Sequence, residues 1–179
     1  MEADGSTSLM FFLDRRKDLS LTAQLRVNVG AALTLALTTS NCGNAPFALT
    51  EALHTYFAVS DIREITVAGL AGEDAPNAVL RDGKLFFAAE TDLMCAPGDK
   101  ILVIDDPIWQ RKIRVERYGS RSAVIWNPWT DKAKRLADFG DEEYRAMLCV
   151  EAANVRENGV DLAAGNSHTL QTRLSLFER

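Results

Sequence analysis

A chain of 179 residues, 47% hydrophobic and 25% charged, has the length and apolar content of one folded domain with a sizeable core, which excludes a disordered segment. Its formal net charge of -5 opposes nucleic acid and anionic membranes, since both need a basic patch, and no apolar run nears the roughly 18 residues of a membrane span. Met1 to Ser6 carries neither the basic nor the apolar region of a signal peptide, so a cytoplasmic protein is expected.

β-branched and aromatic residues recur in short runs bounded by Gly, Asn, Asp and Pro, the punctuation of an all-β antiparallel sandwich. The predicted strands are Ser8 to Leu13, Leu21 to Val27, Ala31 to Thr38, Phe47 to Ala52, Glu64 to Gly69, Lys100 to Ile104, Lys112 to Arg117, Ser122 to Trp126, Ala146 to Ala152 and His168 to Phe177. From Leu21 to Val27 odd positions are apolar and even ones polar, which predicts one buried and one wet face. Turns are expected at Asn41 to Asn44, Arg81 to Lys84 and Pro97 to Asp99. The Arg15-Arg16-Lys17 cluster reads as a solvated hairpin turn. Thr130 to Asp138 places Ala133, Leu136 and Ala137 on one face and predicts a short helix after Pro128, capped by Thr130 or Asp131; a second turn is expected at Asp141 to Ala146. No linker or repeat divides the chain, so residues 1 to 179 are expected to be one domain.

Chemistry concentrates at two places. Glu51 to Phe57 sets His54, one of only two histidines, beside Tyr56 and Phe57, and Cys149 to Ala153 sets Glu151 among small and apolar residues whose burial would raise its pKa. An imidazole and a carboxylate make an acid/base pair. Cys42, Cys95 and Cys149 lie far apart with no C-x-x-C, which points to reduced thiols, two of them in strands, and to neither a disulfide framework nor a zinc site.

Five segments in register carry a resemblance: Glu51 to Arg63, Glu90-Thr91-Asp92, Trp126 to Trp129 followed by Lys132-Ala133, Asp138 to Tyr144, and Cys149 to Ala153. Together they resemble the hexose-6-phosphate mutarotase (glucose-6-phosphate 1-epimerase) branch of the aldose 1-epimerase family. The resemblance implies a galactose-mutarotase-like β-sandwich and an isomerase that interconverts the α and β anomers of a sugar or sugar phosphate. Glu151 would take the proton of the anomeric hydroxyl and His54 would protonate the ring oxygen, with no metal or organic cofactor. The two side chains are expected to face one cleft with room for a pyranose ring between them. Asp92, after Glu-Thr, would either hold sugar hydroxyls or cap the backbone; Trp126 and Trp129 would either stack on the sugar or fill the core; His168, at the entry to the last strand, reads as structural.

Two departures from the family pattern stand out. The match begins on what resembles a mid-domain strand, without the preceding Arg- and His-containing motifs that hold the phosphate, and Asp92 is followed by Leu93 where the family has Arg. An N-terminally shortened sandwich would leave a sheet exposed, from which a homodimer through that sheet is expected. The same departures leave open a carbohydrate-binding pseudo-enzyme, or a structural sandwich, without turnover.

Overall fold

The computed structural model of the chain describes residues 5–13, 20–70, 78–95 and 101–177. In chain order the strands are β1 (Thr7–Leu13), β2 (Leu21–Val29), β3 (Leu33–Asn41), β4 (Phe47–Leu49), β5 (Glu51–Leu53), β6 (Tyr56–Ala58), β7 (Thr66–Ala68), β8 (Ala78–Arg81), β9 (Lys84–Phe87), β10 (Thr91–Cys95), β11 (Ile101–Asp106), β12 (Arg111–Tyr118), β13 (Ser122–Asn127), β14 (Met147–Asn154), β15 (Val160–Leu162) and β16 (Ser167–Phe177). Among the described residues one short helix, α1 (Trp129–Ala133), and 3-10 turns at Glu143–Ala146 and Arg156–Asn158 interrupt them. A nine-stranded sheet runs β1-β2-β3-β16-β12-β11-β7-β9-β8, and a five-stranded sheet runs β10-β13-β14-β5, with β6 also on β14. Every pairing is antiparallel. The all-β expectation holds.

The period-two alternation of both sheets aims side chains into one shared core. Val67, Leu85, Leu102, Ile104 and Val115 come from the larger sheet, and Phe57, Leu93, Ile125, Leu148 and Val150 from the smaller. Each fully buried aliphatic side chain there contributes about 1.5–3 kcal/mol. β1, β2 and β3 send nothing into this cluster, which the larger sheet fills from β7, β9, β11 and β12. The buried face expected for β2 is therefore only half-buried. On β1, Phe11 and Phe12 remain 55% and 67% exposed.

Several boundaries differ from the expectation. Phe47 to Ala52 is two strands, not one: β4 pairs with β15 and β5 with β14. β6, β8, β9, β10 and β15 are too short to show a pattern of their own and exist because a neighbour supplies the ladder. The Arg81 to Lys84 turn does form a hairpin between β8 and β9, with positive φ at Asp82 (51°) and Gly83 (71°) matching the twist of the strands. The helix covers only Trp129–Ala133, and its bonds then tighten to three-residue spacing at Arg135 and Leu136. Neither Thr130 nor Asp131 caps it. Asn127 does that work from the end of β13, its Oδ1 accepting the Trp129 N–H at 2.9 Å while its Nδ2 donates to the carbonyls of Tyr144 (2.8 Å) and Met147 (2.9 Å). The Arg15 to Lys17 cluster and the Pro97 to Asp99 turn lie outside the described residues. No helix among the described residues is long and apolar enough to cross a membrane.

Beyond β6, Asp106 ties the chain to the larger sheet. Its fully buried carboxylate accepts the Ser60 N–H (3.0 Å), the Ser60 hydroxyl (2.6 Å) and the Trp109 N–H (3.3 Å), with Arg111 at 3.7 Å. The guanidinium of Arg111 in turn donates to the carbonyl of Ala58.

Candidate active site

β5 and β6 run along β14 in one unbroken register: Leu53 pairs with Ala152 and Tyr56 with Cys149. The two residues between leave strand geometry, Thr55 turning its N–H to the carbonyl of Leu53 (3.1 Å), while Val150 N–H still reaches the Thr55 carbonyl (3.3 Å). That register sets His54 opposite Glu151 on the face away from the core. Residues 52, 54, 56 and 58 of this segment are all exposed, and Glu51, Phe57 and Val59 are buried, as the alternation requires.

The pair is in direct contact, His54 Nε2 to Glu151 Oε1 at 3.0 Å, so both side chains face one side of the sheet but no pyranose ring fits between them. The expected gap is absent because the two are cross-strand neighbours. The imidazole is 45% exposed and the carboxylate 8%, an open donor above a sheltered acceptor.

Aromatic rings frame the imidazole. Tyr56 stacks on His54 with centroids 4.8 Å apart, and Trp126 meets His54 edge-on at 6.2 Å and Tyr56 at 6.4 Å. The ladders put Asp92, Trp126, Cys149 and Tyr56 in one row across the sheet, and Met94, Val124 and Glu151 in the next. Asp92 is exposed at the rim. Lys132 of α1 lies 5.8 Å from the Trp126 ring centre and 2.7 Å from the Glu90 carboxylate. Trp129 leaves this group: it packs on the core and on Tyr144 (5.5 Å).

Burial pushes the Glu151 carboxyl above the ordinary glutamate range, His54 opposes the shift, and the charge of Asp92 adds to it. Burial and the charge of Glu151 push the Cys149 thiol up as well, so it stays protonated and inert beneath the pair. Cys42, Cys95 and Cys149 are all free, with Cys95 and Cys149 in β10 and β14. A groove of about 420 Å³ lies elsewhere, on the outer face of the nine-stranded sheet, among Gln24, Arg26, Thr38 and Gln171. It holds a cation, amides and hydroxyls but no acid/base pair. His168 does not join His54 and lies instead 3.3 Å from Glu51. Glu51, Tyr56, Lys132 and Glu90 have no role that the sequence alone assigns.

Residues 7–175 match the model of the aldose 1-epimerase family. A Cenchrus ciliaris protein named "Putative glucose-6-phosphate 1-epimerase" is 40% identical over 75% of this chain and 44% of its own length, and an Escherichia coli K12 protein of the same name is 32% identical over 78% and 48%. The chain thus spans less than half the length of these relatives. A crystal structure described as "a putative mutarotase (YeaD) from Salmonella typhimurium" superposes with a TM-score of 0.86 at 26% identity, over 100% of this chain and 63% of that one. A galactose mutarotase-like protein of Lactobacillus casei shares the sandwich alone, at 13% identity and a TM-score of 0.72. The match across nearly the whole described fold, β1 to β16, and the relatives' identity over three quarters of the chain place this protein in the aldose 1-epimerase family.

Proposed function

We propose that this protein is an isomerase that interconverts the α and β anomers of a hexose 6-phosphate or related aldose through acid/base ring opening. The observation that carries the reading is the 3.0 Å contact between an exposed imidazole and a buried carboxylate inside an aromatic frame. Ionised Glu151 takes the proton from the anomeric hydroxyl as the C1 to ring-oxygen bond breaks, and protonated His54 delivers a proton to that oxygen. Rotation about C1–C2 presents the other carbonyl face. On closure the imidazole takes the hydroxyl proton back and the carboxylic acid returns its own, so both groups end as they began. Positioned proton transfer of this kind contributes about 10²- to 10⁴-fold.

Asp92 accepts hydroxyl hydrogen bonds from the sugar at the rim, and Trp126 with Tyr56 offers an aromatic surface to its C–H face. Exchange between the anomers of glucose 6-phosphate and of free glucose, measured by NMR, tests the reading.

A second reading, a carbohydrate-binding module without turnover, is favoured by Leu93, which follows Asp92 where the resembled family carries Arg. Binding without faster exchange would establish it. We also propose that copies pair through β1, whose apolar residues Leu9 to Leu13 are all exposed and which pairs only with β2 among the described residues.

A further inference from the structure

A second carboxylate–histidine pair lies on the other side of β5, the strand that leads into His54. Glu51 and Asn154 are cross-strand partners in the smaller sheet, and Thr39 and His168 are cross-strand partners in the larger one. The four meet between the sheets. Glu51 Oε1 accepts from Asn154 Nδ2 at 3.0 Å and lies 3.3 Å from His168 Nε2, and Glu51 Oε2 accepts from Thr39 Oγ1 at 3.4 Å. The Glu51 side chain is only 4% exposed.

The hydrogen bonds fix every orientation in this cluster. His168 Nε2 is 2.8 Å from the carbonyl of Gly119, which can only accept, so Nε2 carries a proton. Asn154 Oδ1 accepts the Arg121 N–H at 2.8 Å, so Nδ2 is the side that donates, to Glu51 and to Gly119 O (2.9 Å). The 3.2 Å approach of Asn154 Nδ2 to His168 Nε2 is then two donors sharing the same acceptors. Gly119 has φ of 65°, and a Cβ there would strike the Thr169 carbonyl, so glycine is what lets its own carbonyl serve both donors.

Sheet adhesion does not need such a cluster. A buried charged pair is weak evidence for stability, since apolar side chains of similar volume hold an interface as well, and its best-attested use is to specify register. Here the register matters. Glu51 and His54 are three residues apart and therefore point to opposite faces; sliding β5 by one residue along β14 would turn His54 into the core and Glu51 outward. Within β5 itself no apolar side chain is buried, Ala52 being exposed and Leu53 half-buried, so Glu51 is the buried anchor on this side of Thr55, as Phe57 and Val59 are beyond it.

We propose that Glu51, held by Asn154, Thr39 and His168, is a positioning residue that pins β5 on β14 and thereby keeps His54 in contact with Glu151. The effect on catalysis rests on the roles given above to His54 and Glu151; the pinning itself does not. With only two histidines in the chain, each imidazole can be followed by NMR without ambiguity. In the parent chain Glu151→Gln should shift the His54 signals, and Glu51→Leu, which keeps bulk and removes the acceptor, should abolish that response. It should also lower kcat on the order of ten-fold or more with little change in KM, as misplaced catalytic groups do. Glu51→Gln, which retains one acceptor oxygen, should fall between, and it carries the test alone if the leucine variant does not fold. Loss of thermal stability with His54 signals and kcat unchanged would overturn the proposal and leave Glu51 a purely structural residue. If the parent chain shows no anomer exchange, the proposed function fails and the His54 signals still decide whether Glu51 positions it.

Discussion

Glu151 is buried in the middle of β14 while His54, its cross-strand neighbour 3.0 Å away, is nearly half exposed. In the proposed mechanism the asymmetry divides the labour: a sheltered carboxylate is a stronger base than an exposed one, and an exposed imidazole can exchange its proton with water between turnovers.

Activity should therefore fail on the acid side at a higher pH than an ordinary glutamate would dictate. The base works only when ionised, and burial followed by the charge of Asp92 holds the Glu151 carboxyl above the usual value of about 4.3. The pH profile of kcat/KM should show its lower limb displaced upward from that value. A limb at or below it would contradict the burial account.

Asp92→Asn should move that limb back toward lower pH, since it removes a charge that opposes ionisation of Glu151. It should also raise KM by up to about ten-fold, the loss of one charge-assisted hydrogen bond to a sugar hydroxyl. A raised KM with no movement of the limb would assign Asp92 to binding alone.

Stability should depend on pH through the same carboxylates. Glu51 and Glu151 both have folded-state pKa values raised by burial, so the folded protein holds their protons more tightly than the unfolded chain does. Their contribution is fully present below the ordinary glutamate pKa and is lost as pH rises through the raised values. Against the parent chain, Glu151→Gln should thus gain in relative melting temperature across that window, read by calorimetry. A relative gain only on going to more acid pH would reverse the sign and contradict it.

Self-association should run through β1. Phe12 is 67% exposed, so Phe12→Lys costs the monomer little and places a charge on an edge strand that has none among Thr7–Leu13. Light scattering at tens of micromolar should show the parent chain as a dimer and the variant shifted toward monomer. A strictly monomeric parent would remove the basis for pairing.

Alternation made several long strands legible: β2, β3, β12 and β16 each repeat with period two, and Gly or Pro marks several of the strand ends. β6, β8, β9, β10 and β15 were not legible, because strands of three to five residues such as β6, β10 and β15 hold their geometry only by pairing with β14, β13 and β4. His54 and Glu151 could be singled out from their apolar and aromatic neighbours and from the family resemblance. Their direct contact could not, since it follows from the register of β5 and β6 on β14, residues remote in sequence. The half-buried face of β2 is the converse case: alternation shows which side is apolar but not whether another sheet covers it.

Exchange between the anomers of glucose 6-phosphate, followed by NMR with the parent chain and with Glu151→Gln, tests the central claim most directly. The parent chain should accelerate exchange over buffer, and the variant, with its fold intact, should lose about 10²- to 10⁴-fold of that acceleration. Exchange that persists unchanged in Glu151→Gln would show that the pair of His54 and Glu151 is not the acid/base machinery of this protein.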